Sequence, residues 1–175
     1  PHNIPTVPLK GQVTDGTLLG LLLQDHKEIG EVTGRNSWEY GTIHRLDTPT
    51  SGLVLFAKNT RFYNYMLDTQ SQNRFLKTYI ATVQSSSRLQ GHDEIPNDNK
   101  YYTIRTYFRS YGPGSKEVRP TLDKKRADLP VLYGTQIVRN NNLCQCTIAK
   151  GFRHQIRSHL AWCGLPIVGD STYGI

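Results

Sequence analysis

The chain has 175 residues, 37% of them hydrophobic and 20% charged, a composition that excludes intrinsic disorder. No apolar run approaches the length of a membrane-spanning helix, so no membrane partner is expected. Its 21 Lys and Arg against 14 Asp and Glu give a net charge of +7, which favours a polyanionic partner.

The first residues carry Pro1, Pro5 and Pro8 and read as an extended arm, because proline removes donors a helix needs. Asp15-Gly16 marks a turn, and Thr17 is placed to cap a helix through Leu18–Leu23. Residues 53–57, Leu-Val-Leu-Phe-Ala, are a short apolar run that reads as a buried strand. Thr60 is read as the cap of a helix over 61–71, with Phe62, Tyr65, Met66 and Thr69 on one face. Residues 75–83 alternate and are rich in β-branched and aromatic types, so they predict a strand. A loop over 84–100 follows, then a second strand from Tyr101 to Tyr107. Residues 109–130 contain Gly112-Pro113-Gly114, Pro120 and Pro130, and read as a long mobile insertion. Residues 132–139 and 143–148 predict a hairpin turned at Asn140-Asn141-Asn142. The last segment predicts a helix over 152–163, with Ile156, Leu160 and Cys163 inward, Arg153 and Arg157 sharing another face, and Gly164 as the C-terminal stop. Strands outnumber helices. The expected fold class is therefore α+β, with a mixed, mostly antiparallel central sheet flanked by helices and loops.

Three cysteines, Cys144, Cys146 and Cys163, are odd in number and lack zinc spacing. They predict buried thiols and a reducing, cytoplasmic setting. No metal site is expected, and neither a phosphate-cradling P-loop nor a dinucleotide fingerprint is present. His44-Arg45-Leu46-Asp47 is not a kinase catalytic triplet, because Leu46 intervenes. A central group of Arg105, Arg109, Lys116, Arg119, Lys124, Lys125 and Arg126 is interleaved with Tyr101, Tyr102, Tyr107, Phe108 and Tyr111. It suits either phosphates and stacked bases or a plain solvated surface.

The segment 41–58 draws most attention. Polar residues His44, Arg45, Asp47, Thr48, Thr50 and Ser51 surround Pro49 and Gly52, directly before the apolar run. Such a loop fixed to a core element can hold reactive groups rigidly. Asp47 alone reads equally well as a turn acceptor. Arg45 beside it, Tyr79 on a strand and Arg157 on a helix raise its standing. A guanidinium keeps a carboxylate ionised, and a tyrosine supplies a stacking face and a hydroxyl.

His44-Arg45-Leu46-Asp47-Thr-x-Thr50-Ser51-Gly52-Leu-x-Leu-Phe-Ala-Lys58 resembles the catalytic motif of the RluA family of RNA pseudouridine synthases. Lys77-Thr-Tyr79-Ile-Ala81-Thr-Val83 resembles that family's second motif. Gly151-Phe-Arg-His154-Gln155-Ile156-Arg157-Ser-His159-Leu160-Ala161, followed by Gly164-Leu-Pro166-Ile167-Val-Gly169-Asp170-x-x-Tyr173-Gly174, resembles its third. The order is the family's own.

The resemblance implies an isomerase that converts uridine to pseudouridine in ribosomal or transfer RNA, as a monomer and without a cofactor. It implies Asp47 as the essential aspartate, Tyr79 as the ring that packs on the target base, and Arg157 as the partner of the aspartate. Asp47 would attack C1′ or assist loss of its neighbouring proton, or attack C6 of the base. Arg45 matches an arginine that fills the space left by the flipped nucleotide. Lys77, Arg153 and His154 are assigned to RNA contact, although Arg153 stands one place later than the family's arginine. The expectation is a single catalytic domain over 1–175, lacking a few N-terminal residues and a C-terminal extension and carrying no accessory RNA-binding domain. The alternative is a catalytically inactive RNA-binding or ribosome-assembly protein that keeps the fold.

Overall fold

A computed structural model describes residues 3–86 and 91–174. The chain groups into two compact units, 1–75 and 76–175.

In the first unit the arm is not helical, and its carbonyls serve the next element. Leu18 N–H donates to the Pro5 carbonyl and Leu19 N–H to that of Thr6. These bonds satisfy amide groups that the start of a helix leaves orphaned. Helix α1 (Leu18–Asp25) begins as expected at Thr17, whose hydroxyl accepts from Gly20 N–H at 3.0 Å. Val7, Leu19 and Ile29 form one small core.

Helix α2 (Thr60–Ser71) is capped one residue earlier than the sequence suggests, because the Asn59 side chain accepts from Phe62 N–H. Its buried residues are Tyr63 and Met66, whereas Tyr65 is 60% exposed. Apolar residues occur as neighbours here (Phe62-Tyr63, Tyr65-Met66), so two helical stripes fit the pattern. The one that wins gives Tyr63 a role, since its hydroxyl accepts from Arg35 N–H at 2.8 Å.

The strand expected over 53–57 does not form. Leu53 is 95% exposed, and Thr42↔Phe56 is an isolated bridge. Two bonds, Ile43 N–H to the Leu55 carbonyl and Ala57 N–H to the Gly41 carbonyl, tie 41–43 to 55–57. Ala57, Ile43, Val32, Tyr63 and Met66 make a second core.

The second unit is a five-stranded sheet in the order β1-β5-β4-β2-β3. Its strands are β1 (Lys77–Thr82), β2 (Tyr101–Tyr111), β3 (Glu117–Thr121), β4 (Tyr133–Asn140) and β5 (Leu143–Ile148). Every pairing is antiparallel, and with helix α3 (Gln155–Trp162) this bears out the α+β class. The β4–β5 turn uses two residues, Asn141 and Asn142, with Asn140 paired to Leu143. Asn141 takes φ 54°, which asparagine tolerates better than most residues.

The stretch 109–130 differs from expectation. β2 runs on to Tyr111, and β3 pairs with it as an edge strand that accommodates Pro120. Asp128 closes the segment, donating its N–H to the Phe108 carbonyl and accepting from Ser110 N–H and Oγ.

Helix α3 packs on the sheet through Leu160, with Ala81, Ile104, Ile137, Cys144, Cys146 and Cys163 in the same core. The helix starts at Gln155 and not at Phe152, so Arg153 lies before it and does not share a helical face with Arg157. It stops where the sequence indicates. Gly164 has φ 72°, its N–H bonds the Ala161 carbonyl, and Leu165 N–H bonds that of Leu160. This left-handed C-terminal closure favours glycine.

Candidate active-site residues

Asp47 and Arg45 lie in the loop that follows the Thr42 bridge. Leu46, between them, is clamped by Thr6, whose hydroxyl accepts from Leu46 N–H at 3.1 Å and donates to its carbonyl at 3.4 Å. Thr6 is buried, so this clamp exchanges little with water. Asn3 N–H donates to the Thr48 carbonyl, and Thr50 N–H closes a turn on the Asp47 carbonyl at 2.8 Å. The backbone on both sides of Asp47 is therefore fixed. His44 stands upstream with Nε2 accepting from Leu55 N–H at 3.3 Å and its ring against Phe75. Arg45 extends outward and pairs with Glu39 at 2.9 Å. With the arginine 60% exposed, that ion pair is weak and easily exchanged.

Lys77 and Tyr79 sit on β1, opposite Ile148 and Cys146 of β5. Residues two apart on a strand share a face. Both therefore point to the face that carries Ala81 and the core. Burial pushes the Lys77 amine below its ordinary value, and a Cβ placed on Gly151 would come within 3.3 Å of its Nζ.

Arg157 is the most constrained of the set. Its Nε donates to Asp170 Oδ2 at 2.7 Å, and its Nη2 to Asp170 Oδ1 at 2.8 Å and to Thr172 Oγ1 at 3.0 Å. This fork fixes the guanidinium plane. Asp170 Oδ1 also accepts from Thr172 and Tyr173 N–H. Burial alone would raise the Asp170 pKa, but Arg157 and these two amides hold it below the ordinary carboxylate range. The Arg157 guanidinium carbon lies 5.3 Å from the Tyr173 ring centroid.

His154 takes a left-handed backbone (φ 54°) at the start of α3, with Nδ1 at 3.1 Å from the Tyr173 hydroxyl. That hydroxyl also accepts from Val118 N–H. Arg153 donates through Nη2 to the carbonyls of Ser115 and Glu117, so it braces the entry to β3.

Within the second unit, Arg157 and His154 are thus brought together on Tyr173. Asp170 and Tyr173 carry no role that the sequence alone assigns. Their signal was position alone, in the last motif after the helix stop. Among the described residues no cluster of His, Cys, Asp and Glu forms a metal site, and no helix is long and apolar enough to cross a membrane. The three cysteines are free and buried, and burial pushes Cys144 up to about 11 and Cys163 up to about 12.

A sequence profile of RNA pseudouridylate synthases matches residues 1–162. The chain belongs to the RNA pseudouridylate synthase family. The likeness read from the three motifs is borne out at that level. The tRNA pseudouridine synthase C of Haemophilus ducreyi is 29% identical over 132 residues, 75% of this chain and 54% of the relative. The ribosomal large subunit pseudouridine synthase D of the same organism is 29% identical over 174 residues, 99% of this chain and 48% of the relative. YhcT of Bacillus subtilis, an uncharacterized RNA pseudouridine synthase, is 30% identical over 188 residues, 99% of this chain and 53% of the relative. The chain thus spans about half the length of the curated relatives it matches. Human RNA pseudouridylate synthase domain containing 1 superposes with a TM-score of 0.65 over 100% of this chain and 64% of its own, at 19% identity, and so shares the fold.

Proposed function

We propose that the chain isomerises uridine to pseudouridine in structured RNA, ribosomal or transfer. One observation carries this reading: the family profile spans residues 1–162, which include the loop of Asp47, the strand of Tyr79 and the helix of Arg157. The reaction breaks the N1–C1′ bond, turns the base and rejoins it through C5, with no net redox change. The target base is unreactive while stacked and has to be extruded.

Asp47, Tyr79 and Arg157 are the proposed catalytic residues. Breaking the glycosidic bond develops positive charge at C1′, which a carboxylate stabilises. The fixed backbone around Asp47 supports such a role, since a catalytic group gains from being held in advance. Tyr79 is the stacking ring. Arg157, with its plane set by Asp170, is the cation assigned to the catalytic carboxylate. Arg45, Lys77, Arg153 and His154 are assigned to RNA contact. The enzyme is proposed to act as a cytoplasmic monomer, and its buried thiols suit a reducing compartment.

The test is tritium release from RNA labelled at C5 of uridine. Asp47→Ala and Asp47→Asn are each expected to abolish release while retaining RNA binding. Release that persists in both would remove Asp47 from the mechanism. Absence of release from ribosomal and transfer RNA by the unaltered chain would leave the inactive RNA-binding reading.

A further inference from the structure

Lys77 and Tyr79 use one face of the sheet, and the register carries that face through Cys146, Ile137 and Tyr102 along β2 to Phe108 and on to Pro120 of β3. Side chains of the other parity on β2 and β3 stand on the reverse face. They include Arg105, Tyr107, Arg109 and Tyr111, with Glu117 and Arg119 across from the last two.

Arg109 and Arg119 are direct cross-strand partners. Like charges directly opposite one another destabilise a ladder. Here both guanidiniums lean on one ring. The guanidinium carbon of Arg119 is 3.3 Å from the Tyr111 ring centroid, and that of Arg109 is 5.3 Å away. Cation–π attraction offsets part of the repulsion. Glu117, the one carboxylate on these two strands, meets Arg119 at 3.5 Å, the outer limit of a hydrogen bond. Arg119 Nε is shut off from water and has no acceptor among the described residues. The side chain as a whole is 32% exposed, so a ligand from solution meets its other atoms and not Nε.

The surroundings add to the imbalance. Residues 101–128 hold seven Lys and Arg against three Asp and Glu. Two of those acids are already engaged by backbone amides: Asp123 accepts from Lys125 N–H and Asp128 from Ser110 N–H.

The geometry points to a phosphate-binding surface on the outward face of the β2–β3 hairpin, centred on Arg109, Arg119 and Tyr111, with Arg105 further along β2 on the same face. It grips the RNA backbone on the face of the sheet opposite Tyr79, away from the nucleotide to be modified. This rests on the reading of the chain as an RNA enzyme. Charge alone would also admit an acidic peptide. The exposed ring of Tyr101, on the same face of β2, favours RNA, because it offers a face on which a base stacks. The surface sets affinity and register, and the chemistry proceeds elsewhere.

Binding is read by fluorescence anisotropy with a labelled hairpin RNA bearing a uridine loop, over a series of salt concentrations. For Arg109→Ala/Arg119→Ala the slope of log Kd against log salt is expected to fall by roughly two, one for each phosphate released. Arg109→Lys/Arg119→Lys should keep most of the slope, and a Gln pair serves if the Ala pair does not fold. In the tritium assay KM rises, while the single-turnover rate at saturating RNA stays that of the unaltered chain. Polyglutamate should fail to displace the RNA. An unchanged salt slope in the Ala and Gln pairs, or displacement by polyglutamate at equal charge, would overturn the surface. Because binding is measured directly, loss of the slope supports the surface even if the unaltered chain released no tritium.

Discussion

Asp170 fixes the surroundings of Arg157 through a single carboxylate. It receives Arg157 through two oxygens and ties down the turn that carries Thr172 and Tyr173. The side chains of Arg157 and Asp170 are only 12% and 4% exposed, so the pair is largely out of water. Removing one partner of a buried pair leaves the other desolvated, at a cost of about 3 kcal/mol. Asp170→Ala is therefore expected to lower the urea midpoint by that equivalent and to slow pseudouridine formation with intact binding of RNA. A midpoint within error of the unaltered chain would show that Arg157 needs no such anchor. The Asp170 pKa is depressed, so its stabilisation is present above the ordinary carboxylate range and is lost as pH falls through its lowered value. At this scale the sequence was informative about residue types and less so about partners. Asp47, Tyr79 and Arg157 are proposed on motif order, which the sequence displays directly. Asp170 could not be assigned to Arg157, because thirteen residues and a helix stop separate them and only the folded chain closes that gap. Arg153 was placed on a helix it does not join, since the start of α3 is decided by the left-handed turn at His154 and not by periodicity.

Among the elements, the strap that holds the Asp47 loop depends on a close approach that only glycine allows. A Cβ on Gly41 would lie 2.1 Å from the Ala57 carbonyl oxygen and 3.2 Å from a methyl carbon of Ile29. The neighbouring atom is backbone and cannot rotate aside, so the strap has to move. Overpacking of this kind costs roughly 1–3 kcal/mol. Gly41→Ala is expected to lower the melting temperature by about 5 °C and to reduce pseudouridine formation, because the loop rises from this strap. A variant that melts like the unaltered chain would mean that the 41–43 to 55–57 contact opens at no cost. The same contact explains why the apolar run 53–57 misled: it has strand composition but only a three-residue strap to pair with. The β4–β5 hairpin was legible because alternation and a run of asparagines agree. The β2–β3 hairpin was not. Gly112, Pro113, Gly114 and Pro120 signal a loop, and the pairing that overrides them comes from Phe108 and Val118 packing into one core.

The second unit is tied together across its helix and sheet by a buried histidine. His159 is fully buried on α3, with Nε2 at 2.9 Å from Thr106 Oγ1 of β2 and Nδ1 at 2.8 Å from Thr135 Oγ1 of β4. A neutral imidazole has one donor and one acceptor, and a hydroxyl serves either, so both nitrogens are satisfied. The Gln155 amide donates to the same Thr135 oxygen, which adds a second tie from the helix to β4. The tight fit of ring, hydroxyls and the Phe108 ring at 4.9 Å was invisible in sequence, because the partners are 53 and 24 residues away. Among the described residues no carboxylate partners the ring, so a proton there would be buried without compensation. Burial accordingly pushes the His159 pKa down to about 3. The unfolded chain takes up that proton near pH 6.5, so below this value unfolding is progressively favoured. Each pH unit costs about 1.4 kcal/mol, which makes the loss about 2.5 kcal/mol by pH 4.5. This window lies above the range in which Asp170 begins to titrate, so the two effects separate. Urea unfolding at pH 7 and pH 4.5 is expected to show this drop in the unaltered chain and a much smaller one in His159→Gln, which keeps an amide between the two threonines but cannot gain the proton. Equal drops in both proteins would place the acid sensitivity in another group.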